Sequence, residues 1–293
     1  MGGDSMFSGT YTALITPFNT DGSVDFGKLR ELVEIQVEAG VSGIAPVGTT
    51  GESPTLDFQE HGKVVDATVN AAKGRIKVIA GTGANSTAEA MDLTRHAIKS
   101  GADATLQVTP YYNKPSQEGL FRHFSAIADL GLPTVLYNVP GRTGREISVD
   151  TVVKLSAHPN IVAIKEAGGS VERVSAIVHR CKLTVLSGDD SLSLPMIAVG
   201  AKGVISVASN IIPKPLVKMI NLALNNRFAE ARKLHLKYYR LFGDLFIDTN
   251  PVPVKSAMAM MGLGKEVYRL PLCPMSPQLK EQLRDCLKEL KLV

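Results

Sequence analysis

The chain has 293 residues, 44% hydrophobic and 20% charged, proportions ordinary for a globular enzyme. Its net charge of +4 is spread along the chain without a basic run, which argues against nucleic-acid binding and membrane-surface attachment. No apolar run approaches the roughly 20 residues that span a bilayer, and the start lacks the charged-then-apolar pattern of a signal peptide.

The opening MGGDS is polar and is expected to be disordered, with Met6 as the expected native start and the preceding residues an added remnant. Eight short β-like runs follow: TYTALIT (10–16), GIAPVG (43–48), KVIAGTG (77–83), ATLQVTP (104–110), PTVLYNVP (133–140), IVAIKEA (161–167), LTVLSGDD (183–190) and GVISVAS (203–209). They recur at about the length of one βα unit. They are apolar along most of their length, as parallel strands covered on both faces are.

Helical patterns separate them. Asp25 can cap a helix with Leu29, Leu32, Val33 and Val37 on one stripe, ending at Gly40. Ser86 or Thr87 can cap another that ends at Gly101, and Ser148 or Asp150 can open one before His158-Pro159. Eight alternating units predict an α/β fold, a closed (β/α)8 TIM barrel. An open doubly wound sheet is the competitor; it carries a phosphate loop after its first strand, and no G-x-G-x-x-G follows the first run. Past residue 228 the strands stop. FAEARKLHLKYYRLF, NPVPVKSAMAMMG and a segment opened by Ser276-Pro277, with Leu279, Leu283, Cys286, Leu287 and Leu290 on one face, read as helices. The expected division is a barrel over 1–228 and a C-terminal helical appendage over 229–293.

A barrel of this type gathers its chemistry at the C-terminal ends of its strands. The residues there are Thr49, Thr50, Gly51 and Glu52 after the second run, Tyr111 and Tyr112 after the fourth, and Tyr137 and Arg142 after the fifth. Lys165 and Glu166 close the sixth, Gly188 and Asp189 the seventh, and Ser206 the eighth. Lys165 stands out as a lone ammonium at the end of an apolar run. An amine in a dry barrel mouth loses hydration, which favours the neutral, nucleophilic form; with a carbonyl compound it forms an imine, an electron sink. The alternative is an ion pair with Glu166 or an aspartate, although strand alternation points Lys165 and Glu166 to opposite faces. Tyr137 can relay protons or simply pack its ring. The GTTGE segment can present hydroxyls to a carboxylate or be a plain turn, and Arg142 can clamp a carboxylate or lie free on a loop.

Cys181, Cys273 and Cys286 fit neither a disulfide framework nor a zinc pattern and suit a reducing, cytoplasmic setting. The six histidines include no H-x-H or H-E-x-x-H spacing, so no metal site is expected. AGTGAN (80–85) reads as a tight barrel turn rather than a phosphate cradle, lacking a Walker lysine.

GTTGES, VTPYYNKPSQEG, LYNVPGRTG, IVAIKEA and LSGDD, in this order, resemble the pyruvate-dependent class I aldolases of the N-acetylneuraminate lyase superfamily, and most of all its dihydrodipicolinate synthase branch. The resemblance runs from about Met6 to the C-terminus and includes NPVPVK at 250–255. It implies a Schiff base between Lys165 and pyruvate, with Tyr137 as proton relay. Thr50 and Tyr112 would complete a hydrogen-bonded triad, Tyr112 reaching across a tight dimer interface. Thr49 and Thr50 would hold the pyruvate carboxylate, Arg142 the carboxylate of L-aspartate-4-semialdehyde, and Gly188 and Ile205 would line the pocket. No metal or organic cofactor is implied. The product would enter diaminopimelate and lysine biosynthesis, and the assembly would be a homotetramer, a dimer of dimers. Relatives that use sugar acids share the lysine and tyrosine, so a keto-deoxy sugar-acid aldolase such as an N-acetylneuraminate lyase is the second reading, and a barrel retained for binding alone is the third. Arg142 favours the first, since it suits a small acceptor bearing a carboxylate. The positions matching a feedback site for lysine are Ser53, Pro54, Leu56, Phe58, His61, Asn85, Glu89 and Tyr111. His61, Asn85, Glu89 and Tyr111 fit the sensitive pattern, while Pro54 and Phe58 depart from it.

Overall fold

A computed structural model describes residues 7–293. The expectations for MGGDS and Met6 lie outside the described residues. Eight strands, β1 (Gly9–Ala13), β2 (Gly43–Ala45), β3 (Lys77–Gly81), β4 (Ala104–Val108), β5 (Thr134–Asn138), β6 (Ile161–Glu166), β7 (Thr184–Ser187) and β8 (Gly203–Ser206), form a parallel ring closed by pairing of β1 with β8. Each falls on one of the eight apolar runs, β1 starting one residue ahead of its run, and each is shorter than its run because the last residues of each run leave the ladder and form the barrel mouth.

The helices are α1 (Phe26–Ala39), α2 (Phe58–Ala72), α3 (Thr87–Ser100), α4 (Gln117–Ala128), α5 (Pro140–Thr143), α6 (Val149–Leu155), α7 (Val171–Arg180), α8 (Ser193–Ala198) and α9 (Pro213–Leu224). After them come α10 (Phe228–Asp244), α11 (Val252–Met260) and α12 (Pro277–Glu289). The fold is therefore a (β/α)8 barrel with C-terminal helices. Local chemistry sets the helix ends. The Asp25 side chain accepts from Lys28 N at 2.9 Å and opens α1, and Ser148 accepts from Thr151 N at 3.2 Å and opens α6. Ser86, rather than Thr87, caps α3.

Two apolar layers follow from strand alternation. Tyr11, Ala45, Ile79, Leu106, Val135, Tyr137, Ala163, Leu186 and Ile205 fill the barrel interior. Ile44, Val78, Leu136, Ile164, Val185 and Val204 face outward, against helical residues such as Leu29, Val33, Val65, Phe124 and Ile177. In α11 the run Val252–Met258 is buried throughout, and α12 buries Leu283, Cys286 and Leu287. All three cysteines are free, and burial pushes the Cys286 thiol up to about 12. Among the described residues no helix is long and apolar enough to cross a membrane.

Candidate active site

Strands β5 and β6 are paired in a register that sets Tyr137 opposite Lys165 and Asn138 opposite Glu166. Alternation then sends the first pair into the barrel and the second outward. Lys165 is 6% exposed, and its Nζ lies 4.1 Å from the centroid of the Tyr137 ring. Among the described residues this amine makes no hydrogen bond and no ion pair; an aromatic face is its partner. Glu166 is fully engaged elsewhere. Its carboxylate accepts from Arg173 Nε at 2.8 Å, Asn138 Nδ2 at 2.8 Å and Gly168 N at 2.9 Å. The Lys165–Glu166 ion pair is thus ruled out by the geometry.

Gly188 follows β7 directly beside the lysine. A Cβ there would stand 3.1 Å from Lys165 Cε and 2.5 Å from Ala167 Cβ, so only glycine fits. The next residue, Asp189, has its carboxyl pKa raised by burial, an effect that the nearby Lys165 partly offsets. Ile205 is fully buried in the interior layer that contains Tyr137.

Above these residues opens a cavity of about 290 Å³. Thr49, Ser53, Tyr111, Tyr137, Arg142 and Asn250 are on its wall. Thr50, Lys165, Gly188 and Ile205 are not; Lys165 reaches the wall through the Tyr137 ring. Thr50 is buried, and its Oγ1 accepts from Asn250 Nδ2 at 3.0 Å. Arg142 sits at the rim on α5, where Nη2 donates to the Asn250 carbonyl at 3.2 Å. No hydrogen bond joins Thr50 to Tyr137. Tyr112 is 91% exposed with φ 71° and stands apart from the cavity.

The positions read as a lysine site divide. Tyr111, Asn85 and Glu89 come together at the start of α3. Burial raises the pKa of the Tyr111 phenol, the Glu89 carboxylate adds to the rise, and the Asn85 backbone N–H opposes it. Ser53 shares the cavity wall with Tyr111. His61 lies on α2 with Nε2 2.8 Å from the Gly81 carbonyl, which accepts, and burial holds its pKa below the ordinary imidazole value.

The site also contains residues to which the sequence analysis assigned no role, although both lie in the NPVPVK segment. Asn250 ties Thr50 to Arg142. Lys255 is buried on α11 and ion-paired with Glu52, which also faces the cavity. The signal available was a lone lysine in the apolar stretch PVPVKSAMAM, the same kind of signal that draws attention to Lys165.

Comparison with known proteins agrees with this geometry. Residues 6–290 match the model of the dihydrodipicolinate synthetase family. The 4-hydroxy-tetrahydrodipicolinate synthase of Geotalea daltonii is 51% identical over 291 residues, covering 98% of this chain and all of the relative. The 4-hydroxy-tetrahydrodipicolinate synthase structure from Methylacidiphilum fumariolicum SolV superposes with a TM-score of 0.96 at 54% identity, covering 97% of this chain and 96% of that one. The enzyme from Acinetobacter baumannii, solved in complex with pyruvate, is 46% identical with a TM-score of 0.96, covering 98% and 99% of the two chains. That from Cyanidioschyzon merolae, solved with lysine bound, is 40% identical with a TM-score of 0.96, covering 99% and 100%. A shared barrel, near-complete coverage in both directions and identities of this size leave one conclusion: the chain belongs to the dihydrodipicolinate synthetase family.

Proposed function

We propose that this chain is a lyase that condenses pyruvate with L-aspartate-4-semialdehyde to give 4-hydroxy-tetrahydrodipicolinate, the first committed step towards diaminopimelate and lysine, in the cytoplasm. The observation that carries the reading is Lys165: an amine 6% exposed, without hydrogen bond or ion pair among the described residues, set against Tyr137 at a barrel mouth.

The Lys165 amine attacks the C2 carbonyl of pyruvate, and water leaves as the imine forms. The protonated imine withdraws electrons from the methyl group, which loses a proton and leaves an enamine. C3 of the enamine attacks the aldehyde carbon of the semialdehyde and forms the new C–C bond. The acceptor's own amine then displaces Lys165 by transimination and closes the six-membered ring. Tyr137 relays protons in the imine and enamine steps, together with Thr50 and with Tyr112 of a second copy. Thr49 and Thr50 hold the keto-acid carboxylate, and Arg142, on the cavity rim, holds that of the semialdehyde. Gly188 and Ile205 shape the space around the lysine. The imine itself is the electron sink, so the scheme calls for no organic cofactor. Assembly as a dimer of dimers brings Tyr112 to the neighbouring site. Lysine binding near Ser53, His61, Asn85, Glu89 and Tyr111 would couple product supply to activity, supported by the relative solved with lysine.

Borohydride reduction in the presence of pyruvate tests the covalent step. It should add a lactyl mass at Lys165, and a Lys165→Ala chain should acquire none; an unmodified Lys165 would overturn the reading. Turnover with aspartate semialdehyde and pyruvate, compared with N-acetylmannosamine and pyruvate, separates the synthase from a sugar-acid aldolase.

A further inference from the structure

The loop after β2 holds an unusual backbone. Val47 (φ 49°) and Glu52 (φ 54°) both lie in the left-handed region, which L-residues keep only where the surroundings impose it. Gly51 packs so tightly that a Cβ would stand 2.8 Å from Val47 N. Thr49 and Thr50 occupy the stretch between these two left-handed residues. Within the loop, Gly51 N donates to the Gly48 carbonyl at 3.1 Å, Glu52 N to that of Thr49 at 3.1 Å and Ser53 N to that of Gly48 at 3.3 Å, and Thr16 Oγ1 donates to the Gly51 carbonyl at 2.6 Å.

The Glu52 side chain itself is held from some 200 residues further along the chain. Glu52 is 2% exposed, and its carboxylate is ion-paired with Lys255 Nζ, equally buried on α11. Lys255 Nζ also lies 4.2 Å from the Phe18 ring centroid, and Arg269 N approaches the other Glu52 oxygen at 3.4 Å. The Arg269 guanidinium donates to the Thr55 carbonyl at 2.7 Å, just beyond the loop. A buried ion pair contributes little net stability compared with apolar residues of similar size, so stability alone does not account for a charge pair here. What this pair does specifically is fix the direction of one strained residue two positions from Thr50.

We infer that Glu52 and Lys255 are positioning residues: their buried pair holds the loop in the left-handed turn that presents Thr49 and Thr50, which makes α11 part of the keto-acid carboxylate site. The inference rests on the proposed reading of Thr49 and Thr50 as carboxylate donors.

Pyruvate capture on Lys165, trapped with borohydride across a range of pyruvate concentrations, tests it. Two variants are needed, Lys255→Met and the double variant Glu52→Gln/Lys255→Met. In Lys255→Met the half-saturating pyruvate concentration should rise about tenfold or more, as expected for loss of an ion-assisted contact. Trapping at saturation should still be complete, since Lys165 is intact. The double variant no longer buries a lone carboxylate. It should regain thermal stability while keeping the raised half-saturation, a split that a purely structural pair would not give. If Lys255→Met does not fold, the double variant alone decides by the same measure. Half-saturation equal to that of the parent chain, or recovery of stability and pyruvate affinity together, would overturn the inference. Absence of any capture by the parent chain would instead sink the reading of Lys165, and this inference with it.

Discussion

Lys165 and Lys255 are both buried lysines, and they differ in what stands beside them. Lys255 meets a carboxylate, so its charge is compensated where it lies, although burial still holds its pKa below the ordinary value. Lys165 meets only a phenol ring and open cavity beyond it. The second arrangement leaves the amine without a polar partner and close to any carbonyl compound bound in the cavity, while the first engages the amine in structure. Gly188 keeps the space that Lys165 needs. In Gly188→Ala the added methyl would fall 2.5 Å from Ala167 Cβ and 3.1 Å from Lys165 Cε. Ala167 cannot yield without shifting the backbone just past β6, whereas the end of Lys165 can swing aside and carry the amine with it. Overpacking of this kind costs about 1–3 kcal/mol, and the displaced amine should slow borohydride trapping of pyruvate by about tenfold. Trapping at the parent rate would show that Gly188 only makes the turn. At this scale the sequence was legible where a residue broke a pattern, as Lys165 breaks an apolar strand. Lys255 breaks one too, but within a helix, where alternation gives no hint of which side it faces. Asn250 breaks none, and its bond to Thr50 spans 200 residues, so the NPVPVK segment it opens gives no hint of that partner.

Elements were legible because each carries its own punctuation. The stripe of Leu29, Leu32 and Val33, a capping Asp25 and a terminal Gly40 define α1 before any packing is known, and the helix occupies that interval. Strand lengths were less legible, since TYTALIT is apolar to its end although only Gly9–Ala13 pairs in the barrel. Hydrophobicity reports burial, and Leu14, Ile15 and Thr16, beyond the ladder, are buried just as the strand is. The four-residue α5, which carries Arg142, is too short for any periodic signal. Gly40 allows a clean test of helix punctuation. Its φ is 75°, and a Cβ there would meet nothing within 4 Å, so substitution acts through the backbone alone. Gly40→Ala should destabilise the protein by about 1 kcal/mol and Gly40→Asn by less. Chemical denaturation would show this as a lower midpoint at an unchanged slope; a shift no larger for alanine than for asparagine would contradict the assignment.

The whole molecule adds two properties that no single element shows. The first is acid sensitivity. Burial lowers the pKa of His123 on α4 from its usual 6.5 to about 4. The unfolded chain takes up a proton below 6.5, whereas the folded chain resists until about 4, so stability falls as pH drops through this window and levels off beneath it. The loss amounts to about 3 kcal/mol by pH 4. His123→Gln should flatten that part of the stability profile, and an unchanged slope would show that the imidazole is solvated. The second is the proposed sharing of sites between copies. Tyr112 is 91% exposed and held on a loop at φ 71°, a backbone conformation that a bulky residue seldom keeps. If its phenol serves a neighbouring barrel, each site combines Lys165 of one chain with Tyr112 of another. Lys165→Ala and Tyr112→Ala homo-oligomers would then each be impaired. A mixed dimer, however, would contain one site with both residues intact. Mixing the two inactive variants under conditions that allow subunit exchange should restore activity, towards half the parent value per mixed dimer. Recovery cannot occur if Tyr112 acts within its own chain, because every site would then lack one of the two residues.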